Sequence, residues 1–275
     1  MPYIQFPAAF RSVLEQVDQE RIDLPVYRKL GVAIVRGALP VELVTSWMDA
    51  WRRYRESVLA GGRLVDPFNP VVLQEPVDEA LAAIHRHPRL LDVIEQVYPD
   101  VSLYVQRFVI KDAASRAPVF LHQDYCYDLG MPEKTSIFLP LGPMSPANGG
   151  LRFYPGTHRL GYLGDAGELD ESVLEPGWPV VAPTLQPGDL ALMHECTWHA
   201  SAPHQSGPDR VVLQMTFQPA DDPSSGEVLR GRAADRVAFG EVGRDAFFKR
   251  SRSSRLRELQ AALDRVDASR APPPG

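Results

Sequence analysis

Proline occurs 26 times along the 275 residues, and no other feature restricts the fold as much. Each proline removes a backbone donor and interrupts helices and central strands alike. A chain broken this often suits many short strands joined by turns better than a bundle of long helices. The runs between the breaks agree with that reading. From about Val101, residues 102–110, 135–141, 151–154, 190–194 and 211–217 are β-branched or aromatic stretches set between Pro, Gly, Asn and Asp clusters. This pattern predicts a mainly β chain with flanking helices, its strands forming an antiparallel sandwich or barrel.

The first third reads differently. Pro40 suits a first helical position, and Leu43, Trp47, Trp51, Tyr54 and Val58 follow at helical spacing. Residues 31–37, Gly-Val-Ala-Ile-Val-Arg-Gly, form a β-rich run feeding that helix, and shorter helices are expected over 77–85 and 88–97. Beyond about Arg244 the pattern turns helical again. Leu256, Leu259, Leu263 and Val266 make a short apolar stripe, expected to pack on the outer helices or against a second subunit, so a monomer or a homodimer. The organisation expected is one domain over 1–275, with a mostly helical scaffold at 1–100, a β core at 101–220 and a helical extension at 221–275.

Composition narrows the function classes. Hydrophobic residues make up 44% and charged residues 23%, which excludes a disordered or fibrous chain. No run approaches the roughly 20 apolar residues of a membrane span, and the first residues do not resemble a secretory signal, so no membrane association is expected. With 29 basic against 35 acidic residues, the net charge of −6 disfavours nucleic acid as a partner. The locally basic stretch from Arg230 onward reads as a solvated face. Two cysteines, Cys126 and Cys196, cannot staple a fold of this size and point to the reduced cytoplasm.

Chemistry concentrates in two places. In His122-Gln-Asp124, strand geometry would project residues i and i+2 from one face, so an imidazole and a carboxylate converge. The second cluster runs Gly188-Asp-Leu-Ala-Leu-Met-His194-Glu-Cys-Thr-Trp-His199-Ala-Ser201 and is followed by Arg210. A distant histidine on a later strand can complete a site of two histidines and one carboxylate, the open coordination typical of non-haem Fe(II) oxygenases.

These pieces, in this order, resemble the phytanoyl-CoA dioxygenase family of Fe(II)/2-oxoglutarate-dependent oxygenases. The matching stretches are Phe120-Leu-His-Gln-Asp-Tyr125, Asn148-Gly-Gly-Leu-Arg-Phe-Tyr-Pro-Gly-Thr-His158, Gly188-Asp189 with His194 and His199, then Ser201 and Arg210. The resemblance implies a double-stranded β-helix, a jelly-roll or cupin-like barrel, with helices packed outside. It implies His122, Asp124 and His199 as the iron ligands, and Arg210 with Ser201 on the distal carboxylate of 2-oxoglutarate. A guanidinium matches a carboxylate bidentately and stays charged when desolvated, which suits that role. Gln106 and Phe138 fall where relatives line the cosubstrate cavity, and either can also serve as plain barrel filling.

The cofactors implied are Fe(II), 2-oxoglutarate and O2, with succinate and CO2 released as an unactivated C–H bond of a small molecule is hydroxylated. The substrate is expected to be a metabolite or natural-product intermediate. Desaturation, epoxidation and cyclisation use the same iron site and stay open, and a non-catalytic small-molecule-binding jelly roll is the alternative class. Halogenation is disfavoured because Asp124 keeps the carboxylate. Tyr125, Tyr127 and Arg152 are candidate substrate contacts at the barrel mouth or exposed rim residues. His194, an odd five residues before His199, is expected to pack rather than ligate. Cys126 reads as pocket lining or core and His158 as a loop contact. The Asn148-Gly-Gly turn needs no role beyond backbone freedom, and His204 departs from the asparagine usual in the family.

Overall fold

The computed structural model describes residues 3–60, 71–72, 78–111, 118–163, 169–225, 227–231, 260–262 and 264–265. The stripe of Leu256, Leu259, Leu263 and Val266 lies outside these residues, as does most of the expected C-terminal extension. Eleven strands are formed among the described residues. They are β1 (Asp18–Gln19), β2 (Val32–Val35), β3 (Val71–Val72), β4 (Val101–Lys111), β5 (Val119–His122) and β6 (Thr135–Pro140), then β7 (Leu151–Phe153), β8 (Leu190–His194), β9 (His199–Ser201), β10 (Arg210–Pro219) and β11 (Glu227–Arg230). The helices are α1 (Ala8–Arg11), α2 (Leu24–Leu30), α3 (Val41–Ala60), α4 (Glu79–Ala82) and α5 (Pro88–Ile94).

The strands make two sheets. The larger runs β1-β2-β8-β6-β10-β4-β11, with β3 also paired to β4, and the smaller runs β5-β9-β7. Residues from both, including Phe138, Ala191, Met193 and Val212 from one and Leu121, Leu151 and Phe153 from the other, share one apolar cluster, so the sheets face each other. This is the double-stranded β-helix layout, although no continuous ladder closes it into a barrel among the described residues.

Strand β10 divides the molecule. Its side chains alternate with period two. Val211, Leu213, Met215 and Phe217 pack with Val44, Trp47, Trp51 and Tyr54 of α3 and Leu90, Leu91, Val93 and Ile94 of α5. Arg210, Val212, Gln214 and Thr216 therefore point the other way, toward the small sheet. The apolar residues of α3 recur at spacings of three and four, which forms the stripe that covers the sheet. Pro40 stands just before α3, and its carbonyl accepts from the Val44 amide at 3.3 Å. Asp78 caps α4 through the Ala80 amide, and the helix expected over 77–85 is divided into α4 and a separate 3-10 turn at Ile84–Arg86. The ring of Trp51 lies 4.2 Å, centroid to centroid, from that of Phe108, and both are almost wholly buried.

This aromatic contact joins the helical layer to β4 of the large sheet, beside β10. Phe108→Ala should lower the unfolding free energy by about 3–5 kcal/mol, read by urea denaturation. A loss under about 1 kcal/mol would show that the helices dock independently of this contact.

Candidate metal centre and anion pocket

His122 is the last residue of β5 and pairs with His199, the first residue of β9. Asp124 does not continue the strand. It sits at φ −73° and ψ −33°, opening the turn of Tyr125–Tyr127. The chain bends there because the amides of Asp124 and Tyr125 both donate to the Glu195 carbonyl, at 3.1 and 3.2 Å. A turn pinned to the β8–β9 connection, rather than strand alternation, brings the carboxylate round to the imidazoles.

Each histidine is oriented by its other nitrogen. Nδ1 of His122 faces the Phe120 carbonyl at 2.7 Å, and Nδ1 of His199 faces the Thr197 carbonyl at 3.1 Å. A carbonyl can only accept, so each Nδ1 carries a proton, and in the neutral ring each Nε2 then presents a lone pair. Both Nε2 atoms face Oδ1 of Asp124, at 3.2 and 3.5 Å. One ligand atom from each of the three residues lies within 4.8 Å of the others. Burial opposes charge on His122, but the Asp124 carboxylate leaves its pKa raised. Burial first, and then His122, lower that of His199. Burial also works against the Asp124 charge, yet the two imidazoles hold its pKa well below the usual carboxylate range. Two imidazoles sharing one carboxylate oxygen cannot both be charged at low cost, whereas two neutral nitrogens and an anion make a divalent-cation donor set. The residues fit a resident iron.

The second half of the site is cationic. Arg210 opens β10 and lies directly opposite Lys111, the last residue of β4. Both are buried, and no carboxylate among the described residues pairs with either. One guanidinium nitrogen of Arg210 donates to the Gly149 carbonyl at 2.5 Å, while its Nε and the Ser201 hydroxyl are buried with no partner. Lys111 Nζ approaches the carbonyls of Ser201, at 3.4 Å, and Ala202. Burial, and next the neighbouring Arg210, lower the Lys111 pKa to about 7, and burial lowers that of Arg210 to about 10. Two buried cations beside unused donors are costly until an anion joins them. The pocket therefore fits a carboxylate.

The other candidates divide. Phe138 is buried on the inner face, with its ring 6.4 Å from that of His199. Gln106 is not at the site. It pairs with Met215 on the helix-facing side of the sheet, where it donates to the Leu81 carbonyl at 2.8 Å and meets His85 at 3.1 Å. Its neighbour Arg107 occupies the inner face. Arg152 is likewise on the wrong side, exposed between Leu151 and Phe153, whose cross-strand partners are Ser201 and His199. Tyr125 donates to the Gly130 carbonyl at 2.8 Å and meets the Tyr162 ring edge-on, while the Tyr127 side chain lies outside the described atoms. His194 stands apart from the triad, near Glu133 and His158. Cys126 Sγ donates to the Gln123 carbonyl at 2.9 Å, and His158 contacts the Arg28 carbonyl at 3.1 Å. His204 pairs with Asn148 and reaches the Pro208 carbonyl at 3.2 Å, in the loop leading to Arg210.

Sequence reasoning missed Lys111. A lysine closing an apolar strand was the available signal, but only the β4–β10 register sets it beside Arg210.

Two imidazoles and a carboxylate, beside an unpaired cationic pocket between two facing sheets, are the marks of a non-haem iron, 2-oxoglutarate-dependent oxygenase. The family model described as phytanoyl-CoA dioxygenase (PhyH) matches residues 27–212, and the chain belongs to that family. Among solved structures, the non-haem monooxygenase ThoJ is similar at a TM-score of 0.63 and 20% identity, over 88% of this chain and 99% of that one. The 2-oxoglutarate-dependent epimerase SnoN of nogalamycin biosynthesis is similar at 0.59 and 19%, over 77% and 85%. EctD from S. alaskensis, solved with 2-oxoglutarate and 5-hydroxyectoine, is similar at 0.58 and 22%, over 72% and 75%.

The Asn148-Gly-Gly turn does more than bend the chain, since its Gly149 carbonyl holds Arg210. Gly149 has φ +82°, and an added Cβ would lie 2.6 Å from Lys111 Cδ and 2.9 Å from the Ala202 carbonyl oxygen. Gly149→Ala should cost at least about 1–2 kcal/mol from the left-handed backbone alone. It should also weaken 2-oxoglutarate binding, measured by calorimetry on the Ni(II)-loaded protein. Unchanged binding would separate the turn from the anion pocket.

Proposed function

We propose that this protein hydroxylates an unactivated C–H bond of a small-molecule metabolite or natural-product intermediate, using Fe(II), O2 and 2-oxoglutarate. The observation that carries the reading is the pairing of the His122, Asp124, His199 donor set with the buried cations Arg210 and Lys111, which have no carboxylate partner among the described residues. In this reading the three residues hold the iron, and the guanidinium of Arg210 takes the distal carboxylate of 2-oxoglutarate as a bidentate partner. Ser201 donates its unused hydroxyl and Lys111 adds the second positive charge. Phe138 walls the cosubstrate against His199. With iron bound, the cosubstrate and O2 supply the oxidising power, and succinate and CO2 leave. Tyr125 and Tyr127 are retained as candidate substrate contacts on the turn that carries Asp124.

Solved proteins of this fold include a monooxygenase, an epimerase and a carbocyclase, the last two from nogalamycin biosynthesis. These names favour a second reading in which the same site performs cyclisation or another oxidative outcome, set by where the substrate's hydrogen lies. The core shared by α3, α5 and the large sheet supports one catalytic domain. The chain is proposed to act in the cytoplasm, a compartment in which its two cysteines, Cys126 and Cys196, would stay reduced. No described helix is long and apolar enough to cross a membrane.

Arg210 provides the decisive test. Removing one side of a buried charge pair costs roughly 3–5 kcal/mol, or about two to four decades of affinity. Arg210→Ala should raise the 2-oxoglutarate concentration needed for succinate release by that factor while sparing Fe(II) binding. Arg210→Lys should recover only part, because an ammonium lacks the fork. Unchanged concentration dependence in Arg210→Ala would exclude the cosubstrate assignment.

Lys111 adds a pH dependence. Its pKa in the free protein is lowered to about 7 by burial and by Arg210, and a bound dianion must raise it. Binding above that pH therefore takes up a proton, so affinity should fall as pH rises, by up to about tenfold per unit, until the raised pKa of the complex is reached. Calorimetry of 2-oxoglutarate binding to Ni(II)-loaded protein across this range reads the effect, and Lys111→Met should flatten it. A flat wild-type profile would remove Lys111 from the carboxylate's partners.

A further inference from the structure

We propose that Gln214 is a positioning residue that makes Asp124 a single-oxygen ligand, an inference that rests on the triad reading above. Gln214 lies on the inner face of β10, opposite Arg107 on β4 and Phe138 on β6. Its amide is almost wholly buried and fully used. Nε2 donates to Oδ2 of Asp124 at 2.8 Å and to the Ser136 hydroxyl at 2.9 Å, while Oε1 accepts from Arg107 Nε at 2.9 Å. Arg107 has no acceptor atom, so the side of the amide facing it must be oxygen. The nitrogen is then fixed toward Asp124, and the amide cannot flip without setting oxygen against a carboxylate.

The consequence falls on the two oxygens of Asp124. Oδ1 faces both histidine Nε2 atoms. Oδ2 is taken by the Gln214 amide, with an Arg107 guanidinium nitrogen a further 3.7 Å away. A carboxylate whose second oxygen is engaged in this way gives one oxygen to a cation rather than two. That saves a coordination position, which an oxygenase of this class needs for its cosubstrate and O2.

The amide is itself anchored. Ser136 donates onward to Glu195 at 2.5 Å and lies 2.8 Å from the Thr216 hydroxyl. Arg107, Ser136 and Thr216 sit on strands of the large sheet and Glu195 on the turn after β8, so the amide is anchored to the sheet and not to the turn that carries Asp124. Outer-sphere partners of metal ligands commonly govern affinity by about 10–100-fold.

The test uses the full-length protein and Co(II), with no turnover required. Gln214→Met keeps the length and removes the donor, and Gln214→Asn keeps an amide but withdraws it from Asp124, covering the case where the first variant does not fold. The Co(II) dissociation constant should rise about 10–100-fold in Gln214→Met and less in Gln214→Asn. The visible Co(II) absorption bands should shift as the carboxylate gains freedom to bind through both oxygens, a signature that a purely structural role would not produce. Wild-type affinity and wild-type bands in a folded variant would overturn the proposal. Asp124→Ala, run alongside, separates the two readings. If it loses Co(II) while the Gln214 variants do not, the triad stands and the clamp fails. If it binds as wild type does, the triad fails and the clamp with it.

Discussion

The alternation of side chains along β10 is the constraint on which the rest of this molecule depends. One face must be apolar because α3 and α5 cover it, and Val211, Leu213, Met215 and Phe217 supply that face. The other face is thereby committed to the space between the sheets, where Arg210, Gln214 and Thr216 stand. A slip of one residue would drive a guanidinium and an amide into the helical layer and expel the apolar residues from it. Burial of the helix-facing side thus fixes the chemistry of the opposite side.

That inner face has a chemical gradient along it. At the Arg210 end, Lys111 and Arg210 sit together with no carboxylate partner among the described residues. Four residues on, about 13 Å along the strand, Gln214 holds the carboxylate of Asp124. Asp128 and Glu195 lie near that end as well. Burial and then the charge of Asp124 push both upward, Asp128 to about 7 and Glu195 well above its ordinary value. The space between the sheets therefore has a cationic end and an acidic end, with Phe138 opposite Gln214 at the acidic one. A short molecule with carboxylates at both ends, one seated on the cations and the other near a metal on the triad, matches this polarity.

The small sheet contributes precision rather than bulk. β5 and β9 are only four and three residues long, yet their pairing sets His122 against His199. The backbone supplies the remaining orientation. Carbonyls of Phe120 and Thr197 select the histidine tautomers, the Glu195 carbonyl turns the chain at Asp124, and the Gly149 carbonyl holds Arg210. Much of the site is thus built from peptide groups, whose positions follow from the fold and not from the identity of any side chain.

The mainly β class and the helical cover were legible in the sequence, because period and turn chemistry are local properties. The family resemblance singled out His122, Asp124, His199, Ser201 and Arg210 as candidates, the first three of which the structure brings within 4.8 Å of one another. The sequence also carried the apolar stripe of α3 and the strand before it. What lay beyond it was the pairing of strands. Gln106 and Arg107 are neighbours in sequence, and only the register with Met215 and Gln214 decides that Arg107 enters the site and Gln106 meets the helices. Arg152 reads as a mouth residue next to a glycine turn, but the pairing of β7 with β9 sends it outward. Lys111 and the Gln214 clamp were invisible for the same reason, since their roles come from partners about 100 residues away. Even the convergence of His122 and Asp124 came from a turn tied to the Glu195 carbonyl, a contact made across 71 positions of chain. Periodicity assigns a residue to one of two faces, while hydrogen bonds between distant segments decide which face is buried with which partner.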